Sequence, residues 1–203
     1  MIAVILAGGC QRRFNAFMPG VPKILAPIWS RPFLDYLMAD LRRSGAERYI
    51  ILAGAEPDAE RIAVAARRHP EKIDVISQWP PLGTAGALRA AAADLGEWDG
   101  GRILVCNGDT IIRSMLYGSI VDSHLLQGCP VRVRAAGAMD LLGRSVIARP
   151  DIGRIPPDVS DLDDWMEGVS FELTVDCEYF DIGTADGYGR ACEELPPVFA
   201  WRL

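Results

Sequence analysis

Four short, mostly apolar runs recur along the first half of the chain, and each is followed by a longer segment with helical spacing. The runs are Ile2-Ala-Val-Ile-Leu6, Tyr49-Ile-Ile-Leu52, Ile73 to Ile76 and Arg102-Ile-Leu-Val-Cys106. A strand that is apolar at nearly every position has both faces covered, as in a parallel sheet flanked by helices. Between the runs, Phe33 to Ser44 carries Phe33, Leu34, Leu37, Met38 and Leu41 at helical spacing and stops at Gly45. Pro57 to His69 reads as a second helix, with Pro57 in its first turn and Pro70 beyond its end. Ala85 to Leu95 and Leu116 to Leu126 read as the third and fourth. This βαβαβαβα order predicts an α/β fold: a Rossmann-like, three-layer α/β/α sandwich with a mixed, mostly parallel sheet.

After Cys129 the rhythm changes. Val131 to Arg134, Ser145 to Ala148 and Tyr179 to Ile182 read as short strands, and Ala185 to Glu194 as a last helix. Between them Arg149 to Val159 holds three prolines, and an acidic stretch follows with Asp158, Asp161, Asp163 and Asp164. No internal repeat and no linker interrupts the chain, which predicts a single domain over 1–203. A domain of 203 residues buries roughly 70% of its unfolded surface, so neither disulfide nor metal is required for folding. The five cysteines, Cys10, Cys106, Cys129, Cys177 and Cys192, include no C-x-x-C pair, and with His69 and His124 they give no zinc spacing. Reduced thiols and a cytoplasmic location are expected. A net charge of −6 argues against a broad nucleic-acid or membrane surface. No stretch reaches the roughly 18 apolar residues of a membrane span.

In open α/β sheets, ligands sit outside the carboxyl ends of the strands. There the first run gives way to Leu6-Ala-Gly-Gly-Cys-Gln-Arg-Arg13. Gly8 and Gly9 can adopt positive φ and bring backbone N–H groups close to a phosphate. Arg12 or Arg13 could add a planar fork, and Lys23 a point charge on the same polyanion. A tight turn with solvated arginines would look the same. Neither G-x-G-x-x-G nor G-K-[ST] is present, so this is neither a dinucleotide fingerprint nor a Walker A loop.

Ala3-Val-Ile-Leu-Ala-Gly-Gly9, Arg13, Pro22-Lys23 and Leu25-Ala-Pro27 resemble the opening of the sugar-1-phosphate nucleotidylyltransferases. Their pattern is L-A-G-G-x-G-T-R-L, then a loop and P-K-x-[ML]-x-P. Pro81-Leu-Gly-Thr-Ala-Gly-Ala-Leu88 resembles the segment that lies beside the nucleotide base in that family. Cys106-Asn-Gly-Asp-Thr110 and Tyr179-Phe-Asp-Ile-Gly-Thr-Ala-Asp-Gly-Tyr188 resemble its N-G-D turn and its closing segment. Within the family, the bacterial subgroup that makes GDP-heptose and similar nucleotide sugars looks most similar.

The resemblance implies transfer of a nucleoside monophosphate from an NTP to a sugar 1-phosphate, with release of pyrophosphate. It implies a nucleotide-binding part over 1–128 and a shortened acceptor side over 129–203. Arg13 and Lys23 would neutralise the triphosphate, and Leu6, Ala7, Gly8, Gly9, Gln78, Gly83 and Thr84 would meet the nucleotide. Asp109 and Asp181 would hold Mg²⁺, which typically takes one or two carboxylates plus phosphate oxygens and waters. Read from the residues alone, Asp109 could equally be a turn-former and Asp181 a cap or the partner of an arginine. Gln78 is either a base contact or an exposed strand end.

Three departures stand out. Gln11-Arg12 replaces the Gly-Thr of the pattern, and a Gln side chain fills space that glycine leaves for a phosphate. The E-K-P hairpin of the second half is missing. The sugar-contacting N-A-G segment is replaced by Leu142-Gly-Arg-Ser145, where Arg144 is either a substitute phosphate ligand or a solvated strand residue. A weakened nucleotide- or partner-binding paralogue, and a transferase with a non-sugar acceptor, are the alternative readings. Pro196 to Leu203, with Phe199 and Trp201, reads as an apolar tail that would pack on a neighbour in a homo-oligomer.

Overall fold

The first strand, β1 (Ile2–Leu6), forms the middle of a seven-stranded sheet because all its faces are covered. Ile2 and Val4 point into one apolar core, Ala3 and Ile5 into the other. The structure is a computed structural model, and it describes residues 1–9, 11–78, 80–92, 101–113, 117–139 and 141–197. After β1 come the single-turn helix α1 (Arg12–Asn15) and the short antiparallel pair β2 (Pro27–Ile28) and β3 (Arg31–Pro32). Then follow α2 (Phe33–Leu41), β4 (Arg48–Ala53), α3 (Glu56–Ala66), β5 (Ile73–Ser77) and α4 (Gly83–Ala91). The next elements are β6 (Arg102–Asn107), β7 (Thr110–Arg113), α5 (Tyr117–Gln127), β8 (Val131–Ala135) and β9 (Leu141–Ala148). The chain ends with α6 (Arg149–Ile152), α7 (Leu162–Glu167), β10 (Phe171–Val175), β11 (Glu178–Asp181) and α8 (Ala185–Glu194).

The sheet order is β10-β8-β9-β6-β1-β4-β5. Strands β6, β1, β4 and β5 run parallel, and β9 lies antiparallel between β6 and β8. One face packs residues of α2, α3, α5 and α8 against the sheet, and the other packs α4, α6 and α7. This is the expected three-layer sandwich with a mixed, mostly parallel sheet. All the helices and strands expected from periodicity are present. Residues 93–95 of the expected third helix and Leu116 of the fourth lie outside the described residues, as do Cys10, Phe199 and Trp201. Strands β2, β3, β7 and β10 and helices α1, α6 and α7 were not expected.

The chain leaves β1, passes to β4 and β5 on one side, and returns through β6 on the other. That reversal beside β1 is the position where open α/β sheets leave a crevice at their carboxyl ends. Strands β7 and β11 pair antiparallel as a separate ribbon, with Asp181 opposite Thr110. Among the described residues no helix is long and apolar enough to cross a membrane, and Cys106, Cys129, Cys177 and Cys192 are free.

Candidate active site

A cleft of about 450 Å³ opens at the carboxyl ends of β1, β4, β5 and β6. Leu6 to Gly9 line it after β1, Leu52 at the end of β4, Gln78 after β5, and Asn107 to Asp109 after β6. Its far wall is Pro81 to Thr84 and Ala87, the entry to α4, together with Asp161. Gly8 is glycine because of a close approach, not a turn: a Cβ there would lie 2.9 Å from the Ala53 carbonyl oxygen. Next to it, the Ala7 N–H donates to the Leu52 carbonyl at 2.9 Å, which ties the loop to β4. Neither Gly8 nor Gly9 takes positive φ. Among the described residues of Leu6 to Arg13, the left-handed one is Gln11, at φ 45°. Its side chain does not stand free in the cleft: its Oε1 accepts from the Lys23 N–H at 2.6 Å.

That bond joins the glycine loop to the Pro22-Lys23 segment, and Lys23 then reaches across to β6. Its Nζ lies 2.7 Å from Asp109 Oδ2. Asp181 meets the same place from β11. A methyl group at Gly183 would stand 2.8 Å from Asp181 Oδ1, 3.4 Å from Lys23 Nζ and 3.7 Å from Asp109 Oδ2. Two carboxylates and an ammonium therefore converge around a bare α-carbon. Asp181 is open to solvent on one side, yet its carboxyl is pushed above the usual range by partial desolvation and by the charge of Asp109. The Gly183 N–H, Lys23 and exposed Arg13 act in the opposite direction. Asp181 Oδ1 accepts from the Gly183 N–H at 2.6 Å, and a cation placed between the two carboxylates would relieve their mutual repulsion.

The other end of the cleft is built on α4. Gly83 has φ 72°, and a Cβ there would lie 2.2 Å from the Ser160 carbonyl oxygen. The Ala85 N–H donates to that same oxygen at 3.0 Å. Thr84 Oγ1 accepts from the Leu162 N–H at 2.7 Å, and Asp161 caps α7 by accepting from the Asp163 N–H at 2.9 Å. Arg89 donates to the carbonyls of Pro156 and Val159 at 2.7 and 2.9 Å. The proline-rich return is thus fastened onto α4, and Asp161 is set on the cleft wall. Gln78, on the cleft wall, donates from Nε2 to the Ala87 carbonyl at 2.8 Å.

A model of the MobA-like NTP transferase domain matches residues 3–155 of this chain. The chain belongs to that family, which is one of nucleotidyltransferases. It is 32% identical over 111 residues to D-glycero-alpha-D-manno-heptose 1-phosphate guanylyltransferase of Aneurinibacillus thermoaerophilus, covering 55% of this chain and 47% of the relative. It is 28% identical over 155 residues to the bifunctional protein GlmU of Pelobacter propionicus, covering 75% of this chain and 32% of that protein. The chain therefore spans half or less of the curated relatives it matches. Among solved structures, HddC from Yersinia pseudotuberculosis complexed with GMP-PN superposes with a TM-score of 0.78 at 22% identity, over 96% of this chain and 99% of that one. That likeness establishes the fold.

Of the residues singled out in the sequence, Leu6, Ala7, Gly8, Gly9, Lys23, Gln78, Gly83, Thr84 and Asp109 all line the cleft. Asp181 stands beside it with Lys23 and Asp109, and the charge of Arg13 reaches Asp181 from the loop. Arg144 is neither a phosphate ligand nor a solvated strand residue. Its side chain is 0% exposed and lies 3.3 Å from Asp40 Oδ2, and it donates to the Thr110 carbonyl at 2.6 Å. No acceptor phosphate can reach it without opening the core. The alternation of β9 carried the signal, because Arg144 falls between Leu142 and Val146 on the face that packs inward. Asn107, Leu82, Ala87 and Asp161 line the cleft without having been singled out. Asn107 stood within the N-G-D turn, whereas nothing local in the acidic stretch distinguishes Asp161 from its neighbours.

Proposed function

We propose that this chain transfers a nucleoside monophosphate from an NTP to a sugar 1-phosphate. A phosphate oxygen of the sugar attacks the α-phosphorus, the α–β bridging P–O bond breaks, and pyrophosphate leaves. The observation that carries the reading is the meeting of Lys23, Asp109 and Asp181 at the phosphate end of a cleft whose other end suits a base and ribose. Leu6 to Gly9 offer backbone groups to the nucleotide, and Lys23 and Arg13 neutralise the triphosphate. The nucleophile is already an anion, so positioning and charge neutralisation suffice and no strong general base is needed.

Asp109 and Asp181 suit Mg²⁺. Among the described residues no three His, Cys, Asp or Glu side chains could hold an ion by themselves, so the remaining ligands would come from phosphates and water. When bound there, Mg²⁺ supplies positive charge to the phosphate oxygens. Asp109 and Asp181 would hold it, and the contact from Lys23 Nζ to Asp109 Oδ2 at 2.7 Å keeps that side chain in place.

The similarity to a heptose 1-phosphate guanylyltransferase and to a protein complexed with GMP-PN makes GTP with a heptose 1-phosphate the first pair to test. Purified protein with Mg²⁺, each NTP and a panel of sugar and non-sugar phosphates should release pyrophosphate with at least one pair. Asp109→Ala should lower kcat/KM about 100-fold or more, or about 2.7 kcal/mol. Gln11, which lines the cleft where the family pattern has glycine, favours one second reading, a binder of nucleotide with weakened turnover. Calorimetry that detects NTP binding, with no pyrophosphate from any pair, would replace the first reading by the second.

A further inference from the structure

The β7–β11 ribbon carries Asp181 and is led by the Asp109 turn, but it is not hydrogen-bonded into the seven-stranded sheet. A buried ionic group ties it to α2 and β9. Asp40 of α2 is fully buried. Its Oδ2 accepts from the Ile112 N–H of β7 at 3.2 Å and from Arg144 Nη2 at 3.3 Å. Its Oδ1 accepts from Arg43 Nη2 at 2.6 Å, and the same nitrogen donates to the Ile112 carbonyl at 2.8 Å. Arg144 donates through Nη2 to the Thr110 carbonyl at 2.6 Å and through Nη1 to the Asn107 and Gly143 carbonyls at 3.4 and 3.2 Å. The main chain on both sides of Asp109, and both main-chain groups of Ile112, are therefore held by three side chains from α2, the turn after it, and β9.

The link continues to the second carboxylate. The Ile182 N–H donates to the Asp109 carbonyl at 3.0 Å, and Asp181 pairs with Thr110 across the ribbon. Gly143 fits the same arrangement: at φ 57°, a Cβ on it would lie 2.3 Å from the Asn107 amide. Buried ion pairs are poor sources of stability, since apolar replacements of equal volume are often neutral or better. A pair that instead fixes one geometry has a reason to be there.

We propose that Asp40 and Arg144 are positioning residues that set the separation of Asp109 and Asp181 through β7, without touching substrate. This rests on the reading of those two aspartates as the metal site. Arg144→Lys keeps a positive charge beside Asp40, but one ammonium cannot span the Thr110 and Asn107 carbonyls. The test is Mn²⁺ binding to the full chain, followed by electron paramagnetic resonance in the presence of a non-hydrolysable GTP analogue. Arg144→Lys should weaken Mn²⁺ at least tenfold, while the affinity for GMP in EDTA changes less than twofold. If Arg144→Lys fails to fold, the double variant Asp40→Asn/Arg144→Gln, which keeps a neutral buried pair, should give the same loss. Ile152→Ala, in the core on the opposite face of the sheet, supplies a destabilised control that should leave Mn²⁺ binding unchanged. Wild-type Mn²⁺ affinity in a folded variant, or an equal loss in Ile152→Ala, overturns the proposal and leaves the site reading standing. Wild-type Mn²⁺ binding that does not depend on Asp109 and Asp181 overturns both.

Discussion

At the scale of the residue, Gln11 decides how the glycine loop can depart from its family pattern and still close. A non-glycine residue in the left-handed region costs roughly 1 kcal/mol, and the bond from Oε1 to the Lys23 N–H offsets about as much. The two contributions separate in a pair of variants. Gln11→Ala keeps the strain and loses the bond, so it should lower unfolding stability by about 1 kcal/mol, or about 2–4 °C in Tm. Gln11→Gly loses both, so its Tm should stay near that of the wild type. Equal Tm values for the two variants would show that the backbone strain is absent. Asp181 gives a second prediction with a definite sign. Its folded carboxyl binds a proton more readily than the unfolded one, because of desolvation and the charge of Asp109. Stability from that proton is present below the unfolded pKa, near ~3.9, and is lost as pH rises through the folded value. In metal-free protein at neutral pH, Asp181→Asn should therefore raise Tm by about 1–2 °C, a small effect because the side chain is partly screened. The gain should vanish toward about pH 4. For the same reason, half-saturation by Mg²⁺ should need more metal as pH falls. A Tm gain that grows on acidification would reverse the assignment.

At the scale of the element, the entry to α4 shows how a cleft wall depends on one glycine. Gly83→Ala would place a β-carbon at φ 72° against the Ser160 carbonyl. The Ala85–Ser160 and Thr84–Leu162 bonds that fasten the return segment would have to give. A loss of roughly 2–4 kcal/mol in urea unfolding is expected, with nucleotide affinity by calorimetry weakened about tenfold, or about 1.4 kcal/mol. Unchanged affinity would mean that this wall does not face the nucleotide. The elements that were legible in the sequence share one property. Strands β1, β4 and β6 are buried on both faces and so are apolar almost throughout. The missed elements lack it. Strand β10 is the sheet edge, with Phe171 and Thr174 exposed; β7 has four residues and follows directly on a turn; α7 has six residues within the acidic stretch. Site legibility divides in the same way. Asp109 lay on the turn after β6, and Lys23 in the Pro22-Lys23 motif that follows the glycine loop. Asp161 reaches the cleft only through the tertiary fastening of its segment to Arg89 and Thr84, which no local pattern encodes. Arg144 was misread because an arginine suggests solvent, although its neighbours two residues away point inward and Asp40 stood among apolar residues of α2 as its partner.

At the scale of the whole molecule, the proposed chemistry sets polyanionic substrates against a chain of net charge −6. The general field opposes entry, so binding has to come from local groups brought together by folding. Those groups belong to distant parts of the chain: Lys23 from the first loop, Asp109 after β6 and Asp181 from the ribbon. Unfolded chain holds none of them near another, so nucleotide and metal should bind the folded state alone. Linkage then makes thermal stability a direct readout of the site. At about 100 times Kd, an NTP should add about 2.7 kcal/mol, which for a domain of this size is a rise in Tm of roughly 5–10 °C. Mg²⁺ added with the NTP should raise Tm further than either alone, because under the proposed function the two carboxylates and the phosphates would share the ion. Asp109→Ala and Asp181→Ala should keep the rise caused by nucleotide without metal and lose the additional Mg²⁺ increment. Lys23→Ala should reduce both, since its ammonium would face the phosphates as well as Asp109. Scanning fluorimetry with GTP, ATP, CTP and UTP, with and without Mg²⁺, measures all of these shifts. No shift with any NTP at millimolar concentration would remove the nucleotide site from the cleft. An Mg²⁺ increment that persists in both aspartate variants would move the metal away from the β7–β11 ribbon.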